Sequence, residues 1–284
     1  MKKISFDGTS LPIREFKLEY IVPNASICMI ARRGSGKSIL CKDILHHFKD
    51  ILPGGVIIAP TDKMNEFYGR FFPRIYIHYE YKTEILDKLL KRQEIIIEKM
   101  KKKYSEGKRL NPRAFLIMDD CLASKGKWAK DPNINEVLMN GRHYQLMYIL
   151  TMQFPLGIAP ELRTNFDYVF LLADDTTNNQ KRIYEHYAGL FPSFNAFKQV
   201  FSELTKDYGV MVIVNRGKRE TFHDKLFWYR AKIRTIDKIG DSQFNEFSKN
   251  NYDKEWKSKI AKFNAAKYFS DRKRRNIIIE KKHN

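Results

Sequence analysis

Ala31-Arg32-Arg33-Gly34-Ser35-Gly36-Lys37-Ser38 decides how this chain folds. It follows a short apolar run, Ser26–Ile30, and opens into residues 39–48, which have the pattern of a helix. Buried strand, glycine-bearing turn and helix N-terminus together are the setting of a phosphate-binding loop. Glycines permit positive φ and let backbone N–H groups approach phosphate oxygens. The helix start adds unsatisfied donors and partial positive charge. Lys37 is placed to reach the β- and γ-phosphates, and the Ser38 hydroxyl to ligate Mg²⁺. The loop residues Arg33, Gly34, Ser35, Gly36, Lys37, Ser38 and Ile39 are therefore the expected nucleotide contacts. One departure stands out: Ala31 occupies the position of the usual first glycine, which matters if that backbone needs positive φ. Arg32 and Arg33 can add phosphate contacts or point to solvent.

The chain has 284 residues, enough for one large α/β domain with additions. With 43% hydrophobic and 13% aromatic residues it is globular rather than disordered. The net charge of +19 suggests a polyanionic partner, most simply nucleic acid. Cys28, Cys41 and Cys121 lie in or beside apolar segments without metal-ligand spacing, as buried free thiols of a reducing compartment do. Met1–Lys3 leads into no signal-peptide core, and no apolar run is long enough to span a bilayer, so no membrane insertion is expected.

Outward from the loop, residues 16–22 have the pattern of a lead-in strand, and Ser26–Ile30 of a core strand covered on both faces. Residues 56–59 form the next apolar run. It ends in Pro60-Thr61-Asp62, at the strand end where open α/β sheets bind ligands. Residues 74–79 follow as a strand candidate. Residues 83–103 carry an apolar helical stripe and end in Lys101, Lys102 and Lys103, which complement the helix dipole or contact nucleic acid. Apolar strands are predicted at 114–118, 146–151, 168–172, 209–214 and 226–229. Strands alternating with helices predict an α/β fold, a three-layer sandwich around a mostly parallel central sheet. From Thr235 the composition turns polar, basic and aromatic-studded. The expected division is an ATPase domain over residues 1–234 and a basic, helical C-terminal appendage over 235–284. In the appendage Trp256, Ile260 and Phe263 share a helix face, and Arg272-Lys273-Arg274-Arg275 closes a basic stretch. The appendage packs on the domain or on a neighbour, or serves as a nucleic-acid arm.

The apolar run ending in Asp119-Asp120 has the form of a Walker B strand. Asp119 is assigned to Mg²⁺ through its water shell and Asp120 to the attacking water. Such hydrolysis needs positioning and charge neutralisation rather than covalent chemistry. His46-His47 belongs simply to a helix. Asp174-Asp175 follows no phosphate loop and caps the next element.

Asn140-Gly141-Arg142-His143-Tyr144, a short apolar strand, then Thr151-Met152-Gln153 complete the set. Gly-Arg-basic-aromatic, strand and Thr-x-Gln resemble the block after Walker B in the HerA–FtsK class of DNA-pumping P-loop ATPases. Within that class the Asp-Asp Walker B resembles the genome-packaging ATPases of poxviruses and other large eukaryotic DNA viruses. The resemblance covers residues 16–229 in order of elements, with its specific motifs in three short blocks. It implies a RecA/ASCE-like P-loop NTPase that binds ATP and Mg²⁺ and translocates double-stranded DNA. It also implies a homo-oligomeric ring, hexamer or pentamer, with a capsid or portal protein as a further partner. The expected location is the viral factory in the host-cell cytoplasm, and the virion. By position, Arg142 matches the arginine that reaches a neighbour's γ-phosphate, with Arg163 a less well placed candidate. Gln153 matches the polar sensor beside Walker B. The catalytic set is thus Lys37, Asp120, Arg142 and Gln153. Two other functions compete: a nucleotide-gated nucleic-acid-binding protein without motor activity, and a P-loop small-molecule kinase. A kinase would need an acceptor pocket and a lid arginine cluster, neither of which stands out.

Overall fold

The computed structural model describes residues 2–6, 9–121, 128–218 and 220–256. Strands β1 (Lys2–Phe6) and β2 (Thr9–Glu15) precede β3 (Ser26–Ile30), which delivers the glycine loop into helix α1 (Lys37–Phe48). Then come β4 (Gly55–Ile58), the short α2 (Asp62–Asn65), β5 (Ile77–His78) and the long α3 (Thr83–Ser105). After β6 (Ala114–Asp119), α4 (Pro132–Asn140) leads to β7 (Leu146–Met152), α5 (Pro160–Arg163) and β8 (Tyr168–Leu171). Helices α6 (Thr177–Tyr187) and α7 (Phe194–Leu204) precede β9 (Gly209–Val214). The chain continues through α8 (Phe222–Lys225), β10 (Leu226–Arg230) and α9 (Ser242–Asn251).

The strands form one ten-stranded sheet in the order β1-β2-β10-β9-β8-β3-β7-β6-β4-β5. From β8 to β5 every pairing is parallel, while β9 runs antiparallel to both β8 and β10. Side chains alternate between the faces of β6. Ala114, Leu116 and Met118 join a core with α3, α4, α6 and α7, and Phe115 and Ile117 join a second core with α1. A sheet buried on both faces between two helical layers is the expected three-layer α/β sandwich. No described helix is long and apolar enough to cross a membrane.

Two sequence expectations shift. The lead-in strand at 16–22 is instead a 3-10 turn, Leu18–Tyr20, with Phe16, Leu18 and Ile21 buried beneath it. The strand that enters the sheet is β2, which runs parallel to β10 with Arg14 opposite Phe227 and Glu15 opposite Trp228. Residues 74–79 contribute only two strand residues, because Arg74–Tyr76 forms a 3-10 turn after Pro73.

Beyond the composition shift at Thr235 the chain goes on packing: Ile236 and Ile239 are buried, and Phe244 stacks on Tyr76 at 4.1 Å. One compact unit runs to Asn250, and a second begins at Asn251. The predicted helix face after Trp256 and the terminal basic stretch lie outside the described residues.

Candidate active site

The loop after β3 takes the shape its glycines allow. Gly34 and Gly36 adopt φ of +80° and +97°, and Gly36 caps α1. Ser35 is buried, and its hydroxyl donates to the Arg32 carbonyl at 2.8 Å, which folds the loop back on itself. The first turn of α1 therefore presents N–H groups that no intrahelical carbonyl can take. Ala31 resolves simply. It is absent from the positive-φ residues, its N–H donates to the Met152 carbonyl at 2.9 Å, and its methyl is buried in the core around α1. Arg32 and Arg33 are both exposed, and Arg32 pairs with Asp175.

Facing this loop, β6 ends in Asp119, only 4% exposed. Lys37 Nζ lies 3.3 Å from Asp119 Oδ1. The same oxygen accepts from Thr151 Oγ1 at 2.5 Å, and Oδ2 accepts from Tyr68 OH at 3.0 Å. Burial pushes the Tyr68 phenol well up, reinforced by the Asp119 charge, so the group remains a donor. Tyr68 is itself held by its N–H, which donates to buried Asp62 Oδ1 at 2.7 Å. The Pro60-Thr61-Asp62 step after β4 thus steers an aromatic donor onto the carboxylate.

Asp120 takes a positive φ of +55°, unusual for a residue with a side chain. Two contacts fix it. Its N–H donates to Thr151 Oγ1 at 3.0 Å, and Gln153 Nε2 donates to both carboxylate oxygens at 2.8 and 2.7 Å. The arrangement follows from strand order: β7 lies between β3 and β6, so its end bridges the loop and the acids. Lys37, Asp119, Asp120 and Gln153 are brought together at one edge of the sheet.

Arg142 is not among them. It precedes β7, and its carbonyl accepts from Asn24 Nδ2 at 3.2 Å, beside the start of β3. The seven residues of β7 separate it from its own glycine loop by about 20 Å. Its side chain is exposed. The turn that carries it needs Gly141, because a Cβ there would sit 2.4 Å from the Val137 carbonyl oxygen. Arg163, by contrast, is buried, donating from Nε to the Ile158 carbonyl and lying over the Tyr187 ring. Asp174 accepts from the Thr176 N–H at 2.8 Å and so shapes the start of α6, as expected.

A hydroxyl at Ser38 and a carboxylate at Asp119 are hard oxygen donors, the type that suits Mg²⁺. Among the described residues no cluster of three or more His, Cys, Asp or Glu could hold a metal by itself. The three cysteines are buried, and burial pushes their thiols up, away from nucleophilic chemistry. Motif reading missed Tyr68 and, although it quoted Thr151, gave that residue no role. Thr151 did leave a trace as the threonine of the Thr-x-Gln motif that closes β7. Tyr68 left none.

No family model matches the chain. Among solved structures, the genome packaging NTPase B204 from Sulfolobus turreted icosahedral virus 2 in complex with AMP is similar. Its TM-score is 0.51 at 16% identity, covering 68% of this chain and 94% of that one. The ATP-gammaS complex of B204 gives a TM-score of 0.50 at 18% identity, over 69% and 94%. At these identities the likeness is one of fold, and at that level the expected resemblance to viral packaging ATPases holds. Two viral proteins are similar in sequence. Uncharacterized protein L437 of Acanthamoeba polyphaga mimivirus is 49% identical over 244 residues, 86% of this chain and 85% of its own length. Uncharacterized protein 075L of Invertebrate iridescent virus 6 is 34% identical over 258 residues, 88% and 95%. The chain belongs to the family of viral proteins that includes mimivirus L437 and iridescent virus 075L.

Proposed function

We propose that this chain is an ATP-hydrolysing motor that translocates double-stranded DNA and packages a viral genome into its capsid. The observation that carries this is the clamp on Asp120, gripped by Thr151 and Gln153 beside the Lys37–Asp119 pair. A carboxylate held that firmly, in a backbone state it would not choose, suits the orientation of one attacking water.

In this mechanism the loop from Arg33 to Ile39 holds the triphosphate, and Lys37 swings from Asp119 to the β- and γ-phosphates. A bound magnesium ion, held by Ser38 and through water by Asp119, supplies charge neutralisation on the phosphates. Asp120 orients the water, and Gln153 reports to it whether the γ-phosphate is present. Arg142, on the edge away from its own loop, serves a neighbour's site in a ring of five or six copies. The similarity to a structure described as a genome packaging NTPase, and relatives from large DNA viruses, support packaging as the task. The charge of +19 supports double-stranded DNA as the track. In this account residues 1–234 carry the ATPase machinery and 235–284 an appendage. A capsid or portal protein is the docking partner, and the viral factory and virion are the places of work.

Nucleotide binding and phosphate release, measured together, test the site. Lys37→Ala should lose both, whereas Asp120→Asn should bind ATP and release phosphate at least about 100-fold more slowly. Normal turnover in Asp120→Asn would refute its role. Arg142→Ala should be inactive alone and partly rescued by mixing with Lys37→Ala. Absence of rescue would place the finger elsewhere.

A further inference from the structure

The residue just before β9 bears on the nucleotide itself. Because β9 runs antiparallel to β8, its first residues lie at the edge where β3 gives way to the glycine loop. The registers connect Ile30 to Leu171 and Leu171 to Met211. Tyr208 sits at that edge. A Cβ built on Gly36 would meet Tyr208 Cδ1 at 3.5 Å, so the ring lies against the loop's second glycine. Yet the side chain is not packed away: it is 70% exposed. Exposure alone says little, since Tyr104 is 80% exposed at the far end of α3. Tyr208 combines it with contact to the phosphate loop.

The backbone adds to this. Asp207 and Tyr208 both take positive φ, +51° and +60°, a state that an aromatic residue rarely adopts. Beside it, Arg230 of β10 approaches the exposed Asp207 carboxylate at 3.9 Å. The fold thus holds an aromatic face out of its core and beside the phosphates' cradle.

We propose that Tyr208 holds the base of the bound nucleotide, its ring stacking on the purine while the loop takes the phosphates. This role rests on the nucleotide-binding role proposed for the loop. Stacking is indifferent to exocyclic groups, so ATP and GTP should bind alike, and pyrimidine triphosphates more weakly.

Calorimetric titration separates base from phosphate. A non-hydrolysable ATP analogue and inorganic tripolyphosphate, each with Mg²⁺, are titrated into wild type, Tyr208→Ala and Tyr208→Phe. Tyr208→Ala should weaken the analogue about 5- to 100-fold and leave tripolyphosphate within about two-fold. Tyr208→Phe, which keeps the ring, should match wild type. Equal weakening of both ligands would mean that Tyr208 shapes the loop, and would overturn stacking. So would an unchanged analogue affinity in Tyr208→Ala, or a loss in Tyr208→Phe as large as in the alanine variant. A wild type that binds neither ligand would instead overturn the phosphate site, and this role with it.

Discussion

Thr151→Val keeps the shape of a side chain that is 1% exposed and removes its hydroxyl. Two contacts go at once: the 2.5 Å bond to Asp119 Oδ1 and the 3.0 Å bond from the Asp120 N–H. Asp119 Oδ1 keeps Lys37 at 3.3 Å, so the first loss falls at the low end of the about 1.5–3 kcal/mol typical of bonds to charged groups. The Asp120 N–H loses its partner, at about 1–3 kcal/mol. The sum is about 3 kcal/mol of stability, or about 5 °C in Tm for a chain of this length. The catalytic effect is separate. Without its anchor the positive-φ backbone of Asp120 can relax, which carries the carboxylate off the line of attack. A displacement near 1 Å lowers turnover by about 100-fold. The assay is steady-state phosphate release well below both melting temperatures, with Thr151→Ser alongside. Serine keeps both bonds and drops one methyl, about 1 kcal/mol, so its turnover should stay near wild type. Valine and serine variants that turn over equally fast would refute the positioning role, whatever happened to Tm.

Gln153→Glu puts a second carboxylate where Nε2 now lies 2.7 Å from Asp120 Oδ2. Two such groups cannot both ionise, so phosphate release should fall about 10-fold or more while ATP still binds; unchanged release would contradict this. Asp43→Ala removes a fully buried acceptor of Tyr229 OH at 2.6 Å, the Lys232 N–H at 2.7 Å and Arg234 Nε at 2.9 Å. Because Arg234 is partly exposed, the loss should fall at the low end for a broken buried pair, about 3 kcal/mol in urea denaturation. A drop below ~1 kcal/mol would show the clamp to be incidental. Acid should destabilise the fold in two stages. Burial, then the nearby Lys82 and Lys88, holds His78 below its ordinary 6.5, so the unfolded chain protonates first. That part of stability is present above pH 6.5 and lost as pH falls through the lower folded value. Burial opposes ionisation of Asp131, but hydrogen bonds from Thr83, Tyr81 and the Asn133 N–H outweigh it and hold the group below 3.8. Its contribution disappears only at still lower pH. Urea midpoints should therefore fall from pH 7 to pH 5, less so in His78→Gln. A flat profile would contradict this.

The parts of the site written in consecutive residues were legible. Gly34 to Ser38 announces itself, as does an apolar run that ends in two aspartates, because strand, turn and helix start are local. What joins them was not. Thr151 matters because β7 is inserted between β3 and β6, and nothing local to Thr151 states that order. Tyr68 reaches Asp119 across 51 positions of chain, through a turn held by Asp62. Arg142 was legible as a type of residue but not as a place; only the sheet puts it on the far edge. Phe16, Leu18 and Ile21 imitated a strand because they are all buried, although the chain between them turns at Leu18–Tyr20.

A motor driven by ATP along double-stranded DNA must couple hydrolysis to its track. The most direct measurement is phosphate release against added double-stranded DNA, with the mass of the nucleotide-bound protein determined in parallel by light scattering. Turnover should rise with DNA, in an assembly of five or six chains, and vanish in Lys37→Ala. Turnover indifferent to DNA, in a protein that stays monomeric at high concentration with nucleotide, would contradict such a motor.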